Sequence, residues 1–575
     1  MSSDHEEPYL WHKPEVYPPR APFFFNLDED LGDMTLIDAL QRSAEQFPKR
    51  KYLFFSGMTM TYGQVWSQVQ AFASELTSLG VSSEDTVAIL MPNIPQFVVA
   101  FFTAHYIGCK TTLCNPLHVS SELRFHLNDS GSTVLLTADF LYDNVYPIRP
   151  ETNLRLVVAT NIGDVLPAVK GFLGKKLGKI PVGTTKDLSV FKWKDILKEG
   201  MAKTPVLPAK PDIHDIAVLQ YTGGTTGSPK AAMLSHRNLL VNALGVYYWT
   251  PEPIDETDVF MGALPFFHVF GLTVALIAAT TRGSGLVCAP NPRDIKAVLS
   301  EIQGQKVTYF PSVPTLFIAI LNHPEVGNYD LSSLKFCISG AAPLAQEVRK
   351  QFEEKTKAVV LEGYGMSESS PVTVVNPPHR IKDGSIGVPF PSTNVRVVDL
   401  QTREPVEVGT VGELVVAGPQ VMKGYWDKAE ETDNTLEERD GQIWLHTGDV
   451  AKMDEEGYFY IVDRAKDMII VSGFKVFPRE VEDVLFEHPA VKNVAVVGVP
   501  DERTIERVRA FIELKEGVEP PTIQEIQEFA KDKLGKYKVP KEIEFRQSLP
   551  TSMVGKVLRR ELRGEMATDD IQPQE

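Results

Sequence analysis

Cysteine is scarce. The 575 residues hold four, Cys109, Cys114, Cys288 and Cys337, too few and too scattered for a disulfide framework or a thiolate cluster, which points to a reducing compartment and a cytoplasmic chain. Positive charge is in deficit: 58 Lys and Arg against 75 Asp and Glu give a formal net charge of -17. That argues against a nucleic-acid partner and leaves room for a small anionic ligand, which needs only local positive potential. Long apolar runs are missing as well. The stretch VAILMPNIPQFVVAFFTAHYIG (87 to 108) is broken by Pro92 and Pro95, short of the roughly 18 uninterrupted apolar residues of a membrane span. It reads as a buried strand, a turn and a helix. The opening MSSDHEEPYLWHKPEVYPPRAPFF is acidic and proline-punctuated, with no apolar run like a secretion signal.

What is present is a globular composition, 43% apolar and 23% charged, over a length that calls for two or more domains. Residues 1 to 30 read as an extended arm fixed where Tyr9, Trp11, Tyr17, Phe23, Phe24 and Phe25 find pockets; dimerisation through this arm is left open. Helical spacing at 36 to 48 and 61 to 80 alternates with short apolar strands at 85 to 91 and 110 to 115, the pattern of an α/β layered domain. At 169 to 193 lysines interleave with Phe172, Leu173, Leu177 and Phe191. Two readings stand there, contact with an anionic bilayer surface and a solvated connector or lid, and the ordinariness of surface lysines favours the second. From about 381 short alternating strands with glycine turns form a β-rich part, and a further helix and strand series follows Asp463. The expected architecture is α/β: a large N-terminal domain (1–463) of layered α/β subdomains with a β-rich part at 381–463, then a small mobile C-terminal α/β domain (464–575).

The chemistry gathers around YTGGTTGSPKAAMLSHRN at 221 to 238. Glycines let a backbone approach a ligand closely, consecutive amides make an anion-binding concavity, hydroxyls add donors, and Lys230 brings a charge suited to phosphate. An apolar strand at 216 to 221 delivers the loop, and MLSHRNLLVNAL reads as a helix leaving it. The spacing is not that of a Walker A loop, because Ser228 and Pro229 separate Gly227 from Lys230. The plain alternative is a polar surface turn.

Further candidates lie beyond later strands, where open α/β sheets bind ligands. Glu368 in YGMSE and Asp449 in WLHTGD are acids at strand ends, suited to a metal and to ribose hydroxyls; a helix cap and an Asx-turn are their structural alternatives. Together with the loop they point to a Mg-ATP site. GAAP (340 to 343) has almost no side-chain bulk, which serves either a planar ring or tight packing, and Tyr364 is placed to stack. His268 in PFFHVFG has no metal-spaced partner and belongs to no GxSxG triad, so it reads as an aromatic wall residue. Lys556, on a glycine turn, reads by itself as a surface lysine.

Eight ordered motifs, YTGGTTGSPK, LPFFHVFG, SGAAPL, EGYGMSE, GELVVAGPQVMKGYW, WLHTGD, VDRAKDMIIVSGFKVFPREVE and VGKVLRREL, resemble the acyl-adenylate-forming enzyme superfamily, and within it most the bacterial long-chain fatty acyl-CoA synthetases. The resemblance implies an AMP-forming ligase acting on ATP, Mg²⁺, a fatty acid and coenzyme A. It assigns Thr222, Gly223, Gly224, Thr225, Thr226, Gly227, Ser228 and Lys230 to the β- and γ-phosphates. Thr225 and Glu368 fall at the metal, and Ser367 beside the α-phosphate. Gly340, Ala341, Ala342, Pro343, Gly363, Tyr364, Gly365 and Met366 fall around the adenine, and Asp449 with Arg464 at the ribose. Asp463 becomes a pivot, Lys556 a catalytic lysine reaching in from the small domain, His268 a lining of the substrate passage, and Gly473 and Lys475 neighbours of the entering thiol. PFFH has no aspartate for an amino-acid ammonium, and GAAP leaves room for a tail, so fatty acids are favoured over amino acids and acetate; aryl or medium-chain acids are the alternative, and a nucleotide-binding module without turnover is the weaker one because Glu368, Asp449 and Lys556 are all present. One departure stands out: Ile505-Glu506 occupies the place of the family's Gly-Glu pair.

Overall fold

The computed structural model describes residues 10–222, 229–472, 474–501, 503–551, 557–559 and 561–563. Two large sheets carry the bulk of the chain. The first has seven strands, in the order Phe191–Lys192, Leu156–Thr160, Val134–Ala138, Thr86–Leu90, Lys110–Leu113, Ile216–Thr222, Lys230–Ser235. All its pairs are parallel except the last. The second has nine, running Val388–Pro389, Val372–Val375, Val359–Gly365, Phe336–Ser339, Tyr309–Ser312, Val259–Gly262, Gly285–Cys288, Lys51–Phe55, Met58–Thr61. Its centre is parallel and its two ends antiparallel.

The helix Pro95–Ile107 explains the broken apolar run. It is buried along nearly its whole length, starts with proline at its first position and stops at Gly108, whose φ is 91°. A helix apolar all round needs cover on every side, and here a single core joins it to residues of both sheets. Among the described residues no helix is long and apolar enough to cross a membrane.

Two sequence expectations fail. Asp449, expected at a strand end, lies inside the strand Gln442–Met453, because the left-handed Gly448 (φ 69°) makes a register irregularity against Gly412–Ala417 instead of ending the strand. The segment after the loop does not enter a helix directly. Lys230–Ser235 is a strand folded back antiparallel on Ile216–Thr222, and the helix His236–Trp249 begins only afterwards. Ser235 starts that helix: its hydroxyl accepts from Asn238 N, and Asn238 Oδ1 accepts from Ser235 N at 2.8 Å. The reciprocal cap fixes the helix start later than apolar spacing alone suggests.

A third sheet runs Asn394–Val398, Gly412–Ala417, Gln442–Met453, Leu436–Arg439, with Phe459–Arg464 also paired to Gln442–Met453. Val388–Pro389 pairs instead with the second sheet. A fourth sheet, Phe474–Val476, Ile469–Val471, Ile505–Leu514, Val491–Asp501 with Glu542–Arg546 alongside, has its own core under the helices Pro478–Phe486 and Ile523–Lys531. The chain is thus a large N-terminal α/β domain of mixed sheets followed by a smaller α/β one. The arm packs on its own chain: Trp11, Tyr17 and Phe25 are buried, and Phe25 N donates to Ser392 Oγ at 2.7 Å. Phe24 is exposed, and Tyr9 lies outside the described residues.

Candidate active site

The first sheet contributes a hairpin end. Thr222 and Lys230 face each other across the last pair, and the connecting Gly223, Gly224, Thr225, Thr226, Gly227 and Ser228 lie outside the described residues. The Lys230 ammonium sits 5.2 Å from the centre of the Tyr425 ring, a cation on an aromatic face. Tyr425 in turn donates its hydroxyl to Glu368 Oε1 at 2.7 Å. Glu368 is buried in the short turn Ser367–Ser369, and Met422 N donates to its carbonyl at 2.8 Å. Burial raises its carboxyl above the usual range, with the Tyr425 hydroxyl and the Arg464 charge opposing.

Tyr364 lies where the strand Val359–Gly365 exchanges its parallel neighbour for the antiparallel Val372–Val375, between Gly363 and Gly365. A side chain on Gly365 would put Cβ 2.0 Å from the Pro371 carbonyl, so only glycine fits. The Tyr364 hydroxyl donates to Asp449 Oδ2, and Arg464, directly across the antiparallel pair, brings Nε to 3.0 Å from Asp449 Oδ1. Asp449 is buried, with a hydroxyl on one oxygen and a guanidinium on the other. Met366 follows Gly365, its N–H donating to the Pro371 carbonyl at 3.1 Å.

The GAAP turn follows the strand Phe336–Ser339. A Cβ on Gly340 would meet the Phe270 ring at 2.9 Å, so tight packing accounts for this glycine. Ala341, with φ 68°, and Pro343 are exposed, and Ala342 is half-buried, leaving low bulk at the surface of the strand end. Phe270 belongs to the PFFHVFG turn, so the two motifs are in contact. His268 caps the helix after that turn, accepting from Phe270 N through Nδ1 at 3.2 Å. Burial lowers its pKa to about 4, which leaves a neutral ring at pH 7.

Two groups drawn from three sheets result: Lys230, Tyr425 and Glu368, linked by a cation–π contact and a hydrogen bond, and Tyr364, Asp449 and Arg464, linked by a hydrogen bond and an ion pair, with the charges of Arg464 and Asp449 acting on Glu368. Lys475 is exposed, and its charge acts on Asp399, just past the strand Asn394–Val398. Gly473 and Lys556 lie outside the described residues. Sequence reasoning missed three members. Tyr425 links Lys230 to Glu368. Lys466 has its pKa lowered by burial and by Arg464 while the charges of Asp467, Asp449 and Glu368 act against that. Asn93 fixes the PFFH turn, donating to the Gly262 and Leu264 carbonyls at 2.9 and 2.7 Å and accepting from Phe266 N at 2.8 Å. Tyr425 and Lys466 sit inside motifs read from the sequence, KGYW and DRAKD, whereas Asn93 lies 173 residues before Phe266 and carried no local signal.

Among the described residues no three His, Cys, Asp or Glu side chains are grouped to hold a metal. A single buried carboxylate such as Glu368 suits a cation held mainly by phosphate oxygens and water, which is how Mg²⁺ binds beside nucleotides.

The description "AMP-binding enzyme" matches residues 40–426, and "AMP-binding enzyme C-terminal domain" matches residues 480–556. A long-chain-fatty-acid–CoA ligase of Bacillus subtilis (strain 168) is 39% identical over 563 residues, covering 97% of this chain and 98% of that one. A feruloyl-CoA synthase of Amycolatopsis sp is 36% identical over 524 residues, 91% of this chain and 97% of its own. Among solved structures, ATP-bound MatB from Rhodopseudomonas palustris superposes with a TM-score of 0.79 at 26% identity, over 94% of this chain and 100% of its own. The anthranilate CoA ligase AuaEII with anthranoyl-AMP gives 0.80 at 27%, over 95% and 99%. With matches to both halves of the architecture and to full-length relatives, the chain belongs to the AMP-binding enzymes, the acyl-adenylate-forming ligase superfamily that includes bacterial long-chain fatty acyl-CoA synthetases.

Proposed function

We propose that this chain is an ATP-dependent long-chain fatty acid:CoA ligase. The observation that carries the reading is its likeness, over 97% of its length, to a long-chain-fatty-acid–CoA ligase. The chemistry explains why ATP is needed. A thiol attacking a free carboxylate would have to expel oxide. Attack of the carboxylate on the α-phosphorus of ATP instead gives an acyl-AMP anhydride and pyrophosphate, and the thiol of coenzyme A then expels AMP.

The roles of the residues follow. Thr222, the glycine and threonine loop and Lys230 hold the β- and γ-phosphates, neutralising charge as two anions approach. Glu368 and Thr225 hold Mg²⁺, which when bound supplies further neutralisation at the phosphates; the hydroxyl of Tyr425 orients the Glu368 carboxylate. Ser367 sits beside the α-phosphate. Asp449 accepts from the ribose hydroxyls, and Arg464 is paired with its Oδ1. Tyr364 with Gly363, Gly365, Met366 and the low-bulk turn from Gly340 to Pro343 frame the adenine. His268, neutral and rigidly capped, lines the passage for the acyl chain and thiol.

Residues 1–463 form the substrate and ATP domain and 464–575 a lobe that turns about Asp463. Lys556 reaches the cleft in the first half-reaction, and Gly473 and Lys475 approach the thiol in the second. In the present arrangement Lys475 is exposed, with its charge acting on Asp399, which leaves it open to a new neighbour when the lobe turns. A lobe that turns lets one cleft serve two geometries and keeps water from the adenylate.

The test is AMP release across carboxylates from acetate to long-chain acids, with hydroxycinnamates included. Palmitate-class acids are expected to support release with coenzyme A, and hydroxycinnamates to give little. A preference for ferulate or coumarate would transfer the chain to the aryl-acid reading, which the Amycolatopsis relative favours. Each buried methylene contributes about 0.8 kcal/mol, so an apolar tunnel separates long from short acids by several powers of ten.

A further inference from the structure

Between the strands Leu156–Thr160 and Phe191–Lys192 the chain carries the helix Ala168–Lys176, and its two sides are reversed relative to an ordinary surface helix. The inner side is glycine. A Cβ on Gly171 would lie 2.8 Å from the Gly163 carbonyl, and one on Gly174 would lie 2.5 Å from Ile180 Cδ1. The helix is therefore pressed onto the domain by its backbone. At 3.6 residues per turn the opposite side presents Val169, Phe172 and Leu173. These are 73%, 66% and 47% exposed, and Leu177, just past the helix end, is 66% exposed.

A surface helix usually buries its large apolar side chains and shows water its small or polar ones. Here the large ones are outside. A contiguous apolar row on a surface marks a place where something else excludes water. The charge around it indicates what. From 168 to 192 there are six lysines and one acidic residue, Asp187, in a chain whose net charge is -17. Lys176 and Lys179 are exposed beside the apolar row. Long lysine stems lie along an apolar boundary while their ammonium groups stay in water, and each basic residue near an anionic membrane surface adds attraction.

We infer that this helix is a docking face for an anionic lipid bilayer, with Val169, Phe172, Leu173 and Leu177 entering the boundary between headgroups and acyl chains and Lys176 and Lys179 pairing with lipid phosphates. The apolar side chains stand on a ridge rather than lining a groove, which suits a fluid layer that closes around them better than a folded acidic protein. The inference departs from the solvated connector or lid expected from sequence. The inference stands independently of the acid that the site activates.

The experiment is flotation of the full-length chain with phosphatidylcholine vesicles with and without phosphatidylglycerol, at low and high salt. Binding is expected with phosphatidylglycerol, weaker without it and weaker at high salt. The double variants F172E/L173E and K176E/K179E are each expected to lower the bound fraction at least about tenfold. Both pairs point to water, so melting temperatures should match the parent chain; if the first pair lowers it, the lysine pair decides. Failure of the parent chain to float with anionic vesicles, or flotation of both variants equal to the parent's, overturns the inference. So does retention on polyglutamate without vesicle binding, which would identify an acidic polypeptide as the partner.

Discussion

Two single residues put the account at risk most cheaply. Ile505, where the family resemblance leads one to expect glycine, has φ 73°, in the left-handed region, with the side chain 64% exposed. For a β-branched residue that conformation costs about 1–3 kcal/mol. Glycine would remove the cost while adding about 0.5–1 kcal/mol of unfolded-chain entropy, and an exposed isoleucine gives up little burial when it goes. Relief of strain outweighs the added entropy, so Ile505→Gly is expected to stabilise the small lobe by about 1 kcal/mol in urea unfolding. A loss of stability would show the strain is absent. His446 tests the neighbourhood of Asp449. Its Nδ1 and Nε2 are each 2.9 Å from a carboxylate, of Glu413 and Glu437, and Glu413 also accepts from Gly448 N at 3.0 Å, beside Asp449. Burial opposes the imidazolium, but the two carboxylates prevail over burial and over Arg403, so its pKa is raised. A raised folded-state value means stabilisation that is complete below the unfolded pKa of about 6.5 and lost as pH climbs through the folded one. Stability should therefore decline from near neutrality upward in the parent chain, and His446→Gln should flatten that decline; an unchanged slope would refute the assignment.

Among the elements, the hairpin after Thr222 and the proposed pivot at Asp463 show where local reading ends. Apolar spacing located the strands and helices that deliver the candidate acids, because a buried parallel strand is a short apolar run and Glu368 and Asp449 interrupt such runs. It misread Lys230–Ser235, whose six residues form a strand only because Ile216–Thr222 lies beside them. Tyr425 was missed for a related reason, since its bond to Glu368 spans 57 residues. The proposed pivot, Asp463, is likewise held from a distance. Arg559 is within ion-pairing reach of Asp463, Asp467 and Glu482, at 3.4, 3.2 and 2.5 Å, and Arg479 N donates to Asp463 at 2.6 Å. Removing a buried partner strands the charges left behind, at about 3–5 kcal/mol. Arg559→Ala should therefore cost the small lobe stability of that order in a denaturant titration, whereas a variant within about 0.5 kcal/mol of the parent would mean that water already screens the cluster.

At the scale of the whole molecule, the class of fold was legible and the sheet order was not. Lys51–Phe55 precedes every strand of the first sheet in sequence yet pairs in the second with Gly285–Cys288, a contact that periodicity cannot carry. The candidate site was legible as a set of motifs, and their meeting depends on those long-range pairings. In the proposed function its decisive element is the lobe from 464 onward, serving one half-reaction in one pose and the other in a second. The measurement that tests this most directly compares Lys556→Ala with the parent chain in both half-reactions: palmitate-dependent exchange of pyrophosphate into ATP, and palmitoyl-CoA formation from supplied palmitoyl-AMP. The account predicts that exchange is abolished while thioester formation persists near the parent rate. Equal loss of both activities would contradict it.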